Sequence, residues 1–276
     1  GQCKIQQQLS RIVKWFGESA GHCPLSPAHR RRTSAPVTVD LFDRRLRTGR
    51  RDRAARIGPE LLLHDRAFDE CLDRLGHVAR TFDRCLLIGC PSPDWPQRLR
   101  ELAREVEVTD PGPLFAASAG GEQVEEDRFD FGEERYDLAF AGGTLDTVNE
   151  LPLALKLIHR ALRPDAPMIG AIAGGNSLPK LRASLIEAGR AEGRVVARTH
   201  PRIEAGSLPP FPSGAGFSQP VVDIDRVTLR YTSLAALIGD LRAMAANSML
   251  AGRQPPISRR EYQAAAEAFE GLGKSG

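Results

Sequence analysis

The residues of this 276-residue chain best suited to chemistry stand where apolar runs end. "RCLLIG" (84–89) leads into Gly89 and Cys90, and a helix-like segment follows. "VEVTD" (106–110) ends in Asp110, "YDLAFAGG" (136–143) in Gly142 and Gly143, and "APMIGAIAGG" (166–175) in Gly174 and Gly175. In an open parallel sheet, ligands sit beyond the carboxyl ends of the strands, near the point where strand order reverses. That rule selects Gly89–Asp94, Asp110, Gly142–Thr144 and Gly174–Asn176.

A carboxylate about 20 residues past the first strand–helix turn can accept hydrogen bonds from ribose hydroxyls. Asp110 follows Gly89 by 21 positions. The same aspartate also suits an Asx turn before Pro111 and Gly112. Glu125 and Glu126 precede the third apolar run and could receive an adenine amino group, although these residues alone fit a solvated acidic loop better. Gly142 and Gly143 let a ligand approach the backbone closely. Asn149 suits the N-cap of a helix starting near Leu151, and Asp146 lies on the same rim.

Other chemistries find little support. The six histidines (His22, His29, His64, His77, His159, His200) have no motif context. His159 lies mid-helix among apolar residues and reads as packed. There is no GxxxxGK[ST] and no HExxH. The five cysteines form no CxxC pair, which argues against a structural zinc site or a disulfide framework. Reduced thiols fit a cytosol-like compartment. No run approaches the ~18 apolar residues of a membrane span.

The elements that would position these residues alternate. Basic residues 41–57 and the apolar-faced 61–79 read as helices. Strands at 84–89, 106–110, 136–143 and 166–175 then alternate with helices from Pro96, from Leu151 and from Leu178. Strands alternating with helices of 10–15 residues imply an α/β fold with a parallel sheet. After a Pro/Gly-rich loop (205–220), "VVDIDRVTLRY" reads as a strand pair, followed by helices over 233–251 and 258–271. Residues 1–40 differ in composition. Ile5, Leu9, Ile12 and Phe16 recur at helical spacing, and a Pro/Ser/Arg-rich run follows. The pattern suits an organelle transit peptide or a disordered extension. Residues 1–56 carry 13 Lys/Arg against 4 Asp/Glu, and the remainder 25 against 31. A basic start of this kind could meet an acidic partner, but without interleaved aromatic residues it reads as a solvated helix and tail, with no specific nucleic-acid partner. The expected organisation is an extension (1–40), N-terminal helices (41–80), the sheet domain (81–232) and a C-terminal helical extension (233–276).

"VNELP", "ALRP" and "GGNSLPKLRASL" resemble the segments after strands four and five of class I S-adenosylmethionine-dependent methyltransferases. The branch is the one that contains the complex I assembly factor and the biotin-synthesis malonyl-carrier-protein methyltransferase. "PVVDIDRVTLRYTSLAALIGDLRAMAANSMLAGR" and "LFDRRLRTGRRDRAA" are similar to the assembly-factor subgroup's tail and first helix. The resemblance covers roughly residues 41–270. It implies a Rossmann-like, seven-stranded methyltransferase sheet flanked by helices, with S-adenosylmethionine as cofactor. Asp110 matches the ribose-binding acid, and Glu125 or Glu126 falls near the adenine-side acid. The Gly89–Asp94 loop, with Gly89 and Cys90, faces the methionine part, Gly142 joins the cofactor-binding set, and the acceptor would enter over Gly142–Asn149. It also implies a protein or carrier-bound acceptor, or an assembly partner, in the cytoplasm, or in the mitochondrial matrix if residues 1–40 are a transit peptide. Methyl transfer needs mainly positioning, so no catalytic residue is assigned.

Three positions depart from that family pattern. Leu87 stands where the first strand carries an acid, and Pro91 and Pro93 replace glycines. Proline fixes φ near −65° and has no N–H to donate. Each lost hydrogen bond to a charged group costs about 1.5–3 kcal/mol. Two or three losses therefore weaken cofactor binding by roughly two to six decades. The rival reading is a non-catalytic assembly protein that keeps the fold. A nicotinamide-dependent oxidoreductase is a weaker third, since it needs the same glycines.

Overall fold

The computed structural model describes residues 5–19, 40–78, 80–194 and 196–274. Its centre is one seven-stranded mixed sheet with helices on both faces. The strands are β1 (Ile5–Ser19), β2 (Phe82–Ile88), β3 (Ala103–Asp110), β4 (Glu122–Gln123), β5 (Leu138–Gly142), β6 (Pro167–Ala173) and β7 (Phe217–Tyr231). They lie in the order β4-β3-β2-β5-β6-β1-β7. β2 pairs in parallel with β3 and with β5, and β5 pairs in parallel with β6. β1 is antiparallel to both of its neighbours, β6 and β7. The order reverses between β2 and β5, so Gly89 and Gly142 meet at the switch point.

β5, β6 and the Cys85–Ile88 part of β2 are near-continuous apolar runs because both of their faces are covered. On one face Leu86, Ile88, Ala139 and Ala141 pack in one cluster with Leu155 and Ile158 of α5 (Leu151–Ala161). On the other, Leu87 and Phe140 share a cluster with Phe68 and Leu75 of α2 (Leu62–Gly76). A third cluster joins α6 (Pro179–Ala191), α8 (Leu234–Ala243) and α9 (Arg259–Lys274) through Leu181, Leu237, Leu241 and Phe269. Among the described residues no helix is long and apolar enough to cross a membrane.

Several local expectations are corrected. The helical spacing of Ile5, Leu9, Ile12 and Phe16 does not produce a helix, since Ile5–Ser19 is a 15-residue strand. Cross-strand pairing on both edges decides its conformation, and no local pattern encodes that. The rest of the 1–40 segment, with Cys3 and Cys23, lies outside the described residues. "VVDIDRVTLRY" is not a strand pair: it belongs to the single strand β7, whose partner is β1. The helix expected from Pro96 shortens to α3 (Trp95–Leu99), because β3 already begins at Ala103. The helix expected over 233–251 stops at Ala243, and Ala245 follows with φ +56°. Asn149 does not cap α5. Its amide takes both backbone groups of Phe42, accepting from N at 2.8 Å and donating to O at 3.0 Å.

Candidate functional site

Asp110 closes β3 and has no exposed surface. It faces α1 (Arg44–Ile57), a helix capped by the Asp43 carboxylate, which accepts from the backbone N–H groups of Arg45 and Leu46. Arg51 of α1 grips Asp110 at two points, Nε to Oδ1 at 2.6 Å and Nη2 to Oδ2 at 2.5 Å. The Cys90 N–H also donates to Oδ2 at 2.8 Å, and the Gly112 N–H to Oδ1 at 2.7 Å. An ionised carboxylate offers about four lone-pair sites, and Asp110 has four donors on it. The Asx-turn reading and the proximity to the first loop are therefore both realised, since Gly112 and Cys90 bond the same side chain.

The acidic run after β4 meets the same helix. Glu126, with no exposed surface, accepts from Arg47 Nη1 at 2.6 Å and from Nη2 at 2.9 Å. Burial disfavours its charged form, but the Arg47 charge and hydrogen bonds win and hold the carboxyl below its usual range. Arg47 is 1% exposed and uses its remaining donors on Glu125, Thr147 Oγ1 and the Thr144 carbonyl. Arg44 grips Asp127 at 2.6 and 2.8 Å and reaches Glu125 at 2.9 Å. Arg44, Arg47 and Arg51 recur three and four positions apart, which puts them on one helix face. Glu125 and Glu126 are therefore not a solvated acidic loop, and the basic run of α1 is not a solvated helix.

The loop after β2 is built around Trp95. Gly89 has φ +76°, and a Cβ there would sit 2.6 Å from Thr144 Cγ2, so both the backbone and the space require glycine. A Cβ on Gly142 would lie 2.5 Å from the Trp95 ring and 2.7 Å from the Gly89 carbonyl. Trp95 stacks on Phe68 with ring centroids 4.4 Å apart and donates Nε1–H to Asp65 at 2.8 Å. The small residue at the end of β5 thus makes room for the chain's own indole. Leu87 is fully buried in the α2-side core, where a carboxylate would be desolvated without a partner. Burial pushes the Cys90 thiol up to about 12, so it is no thiolate nucleophile.

Beside Gly142 and Gly143 lies a cavity of about 120 Å³. Its wall is mainly apolar and is shared by α2, β5, β6 and the segment after α8. Its polar members include His64, His200, Arg51, and the Asp146–Arg202 pair at 2.6 Å. Burial, aided by the Arg51 charge, lowers the His64 pKa to about 4, and burial beside Arg202 does the same to His200. Both imidazoles are neutral at pH 7. His200 Nε2 accepts the Met249 N–H at 2.7 Å.

The structure thus brings together Gly89, Cys90, Asp110 and Gly142 at the switch point. Glu126 and Glu125 lie one helix turn of α1 away. Gly174–Asn176 stands apart: Ser177 bonds back to the Gly174 carbonyl, and a Cβ on Gly175 would overlap the Glu204 carboxylate. Sequence reasoning missed Arg47 and Arg51. The available signal was their fixed spacing in a helix with few apolar residues, set against acids that all lie in one stretch.

No family model matches the chain. It is 30% identical over 254 residues to the rat protein named arginine-hydroxylase NDUFAF5, mitochondrial, covering 86% of this chain and 73% of that one. The human protein of the same name is 29% identical over 252 residues, covering 87% and 73%. The malonyl-[acyl-carrier protein] O-methyltransferase of Xylella fastidiosa is 30% identical over 146 residues, 49% of this chain and 45% of that one. Among solved structures, the N-methyltransferase NodS from Bradyrhizobium japonicum, bound to S-adenosyl-L-homocysteine, aligns with a TM-score of 0.37 at 17% identity, covering 43% of this chain and 68% of that one.

Proposed function

We propose a function from one premise: this chain belongs to the NDUFAF5 family, among the class I S-adenosylmethionine-dependent methyltransferases. The family implies S-adenosylmethionine, with its ribose on Asp110 and its adenine near Glu126. The residues are of the right kind, but their bonding does not fit that ligand. All four lone-pair directions of Asp110 are used, and Glu126 is held at both oxygens by Arg47. Leu87, Pro91 and Pro93 withhold the acid and the glycine backbone that the methionine end would need.

The reading that follows is a partner-directed factor on a methyltransferase fold, of the assembly type, with its nucleoside cleft shut by its own helix. The saturated Asp110 carboxylate carries it. A second reading, a methyltransferase acting on a protein or carrier-bound acceptor, is favoured by one observation: the cavity opens directly beside Gly142 and Gly143, where an acceptor would approach. A reducing compartment suits the buried thiols Cys71, Cys85 and Cys90, and the mitochondrial location named for the relatives supports the matrix over the cytoplasm.

Calorimetric titration of S-adenosylmethionine into the native chain tests the choice. No binding heat up to millimolar cofactor is expected. A dissociation constant in the micromolar range would overturn the shut-cleft reading and establish the second.

A further inference from the structure

The bonding of α1 is unusual for a structural helix. Its buried residues are Arg47, Arg51 and Ala54, and two of those three are charged. Its larger apolar residues face outward, with Leu46 at 38% and Ile57 at 58% exposure. Apolar contact with the body is confined to a small cluster of Ala54, Phe115 and Ala245, with the Arg51 guanidinium 4.9 Å from the centre of the Phe115 ring. Ion pairs, rather than a hydrophobic stripe, hold the helix on the sheet.

The chain around α1 permits close approach. A Cβ on Gly112 would come within 2.7 Å of Arg51 Cβ, so glycine there is what lets the helix reach Asp110. Gly58 ends α1 with φ +92°, and a Cβ there would meet nothing within 4 Å. The other end is tethered, because Phe42 is held by Asn149 and the Asp43 N–H donates to the Met249 carbonyl at 2.8 Å. Past the exit the chain is tied by a longer bond, from the Glu60 N–H to the Ala243 carbonyl at 3.2 Å.

We propose that α1 is an autoinhibitory plug: Arg51 and Arg47 occupy in cis the carboxylates of Asp110 and Glu126, and α1 and a nucleoside cofactor exclude one another. The proposal rests on the shut-cleft reading above and adds that the closure is reversible. A guanidinium fork and a ribose diol make the same demand on Asp110, two donors aimed at two oxygens. Both cannot be met while the Cys90 and Gly112 N–H groups hold their two sites. The cofactor therefore sees only the fraction of molecules in which α1 has withdrawn, and its apparent affinity falls by that fraction. Closure also explains why a cleft that lacks the family's glycines retains both of its acids, since α1 uses them.

The test compares S-adenosylmethionine binding by calorimetry to the native chain, to the double variant Arg47→Gln/Arg51→Gln, and to Arg51→Lys. The lysine variant keeps the charge and loses the fork, so it guards against failure of the double variant to fold. Amide hydrogen exchange over 44–57 of the Arg51→Lys variant, with and without millimolar cofactor, is the second readout. The expected results are at least tenfold tighter binding in the double variant, a smaller gain in Arg51→Lys, and faster exchange in α1 on adding cofactor. Folded variants that bind no tighter than the native chain, with unchanged exchange in α1, overturn the plug. If none of the three binds, the plug fails while the shut-cleft reading stands. If the native chain binds as tightly as the variants, both fail.

Discussion

The Arg51 guanidinium lies across the Asp110 carboxylate, Nε 2.6 Å from one oxygen and Nη2 2.5 Å from the other, with neither side chain open to solvent. Two-point geometry of this kind is among the stronger charge-assisted contacts. Because both charges are desolvated, breaking the pair on one side leaves the other uncompensated. Asp110→Asn is expected to destabilise the fold by about 3–5 kcal/mol, read as a shift in the urea midpoint. Adding Arg51→Leu removes the stranded charge and recovers part of the loss. Additive effects in this double-mutant cycle would show that the pair does not couple.

Stability also falls on the acid side, through the two buried histidines. The folded pKa of His64 and of His200 is lowered to about 4, below the ordinary histidine value of 6.5. Between those values the unfolded chain binds protons that the folded chain refuses. Their contribution is complete above about pH 6.5 and is lost as pH falls towards 4. Across that window each contributes about 3 kcal/mol, at 1.36 kcal/mol per pK unit. Urea unfolding at pH 7.5 and at pH 5 measures the drop. His200→Gln, whose amide oxygen can still accept the Met249 N–H, should flatten the pH dependence. An unchanged slope would mean His200 titrates normally.

Two glycines make a paired test of the switch point. Gly142→Ala pushes a methyl group against the Trp95 ring and the Gly89 carbonyl, and overpacking of this kind costs about 1–3 kcal/mol. Gly239→Ala, inside α8 with nothing within 4 Å, should instead stabilise by about 0.5–1 kcal/mol. Thermal melts of the two variants are expected to move in opposite directions. Equal shifts would mean that Trp95 is not seated on Gly142.

Removing residues 1–19 takes β1 out of the sheet and leaves the facing edges of β6 and β7 unpaired. Exposed strand edges are templates for pairing with another chain. Light scattering after size-exclusion chromatography should show the shortened protein as oligomers or aggregates. A stable monomer with an unchanged circular dichroism spectrum would show that β1 is dispensable.

Much of the architecture was legible because its signals are local. β5 and β6 are unbroken apolar runs, and α5 shows a clean apolar face in Leu151, Leu155 and Ile158. Asp110 was legible through its distance from Gly89. The arginines were not, because a basic run looks the same whether it meets water or carboxylates 59 to 83 positions away. Nor was β1 legible. Its apolar positions happen to fit a helical period, while its state depends on neighbours late in the sequence. Trp95 was hidden for a different reason: a ligand-binding glycine and one that seats an indole leave the same letter at Gly142.

The place of β1 also dictates an order of events. Ile5 lies opposite Tyr231, nearly the whole length of the chain away. A ribosome makes β1 before the other strands of this sheet and its second partner after them. The first strand must therefore wait, unpaired on that side, until the C-terminal quarter has emerged. Pairings this distant in sequence form slowly, because the loop must close before the contacts reward it. The finished sheet is thus locked by its earliest-made strand, and its assembly is completed on that strand.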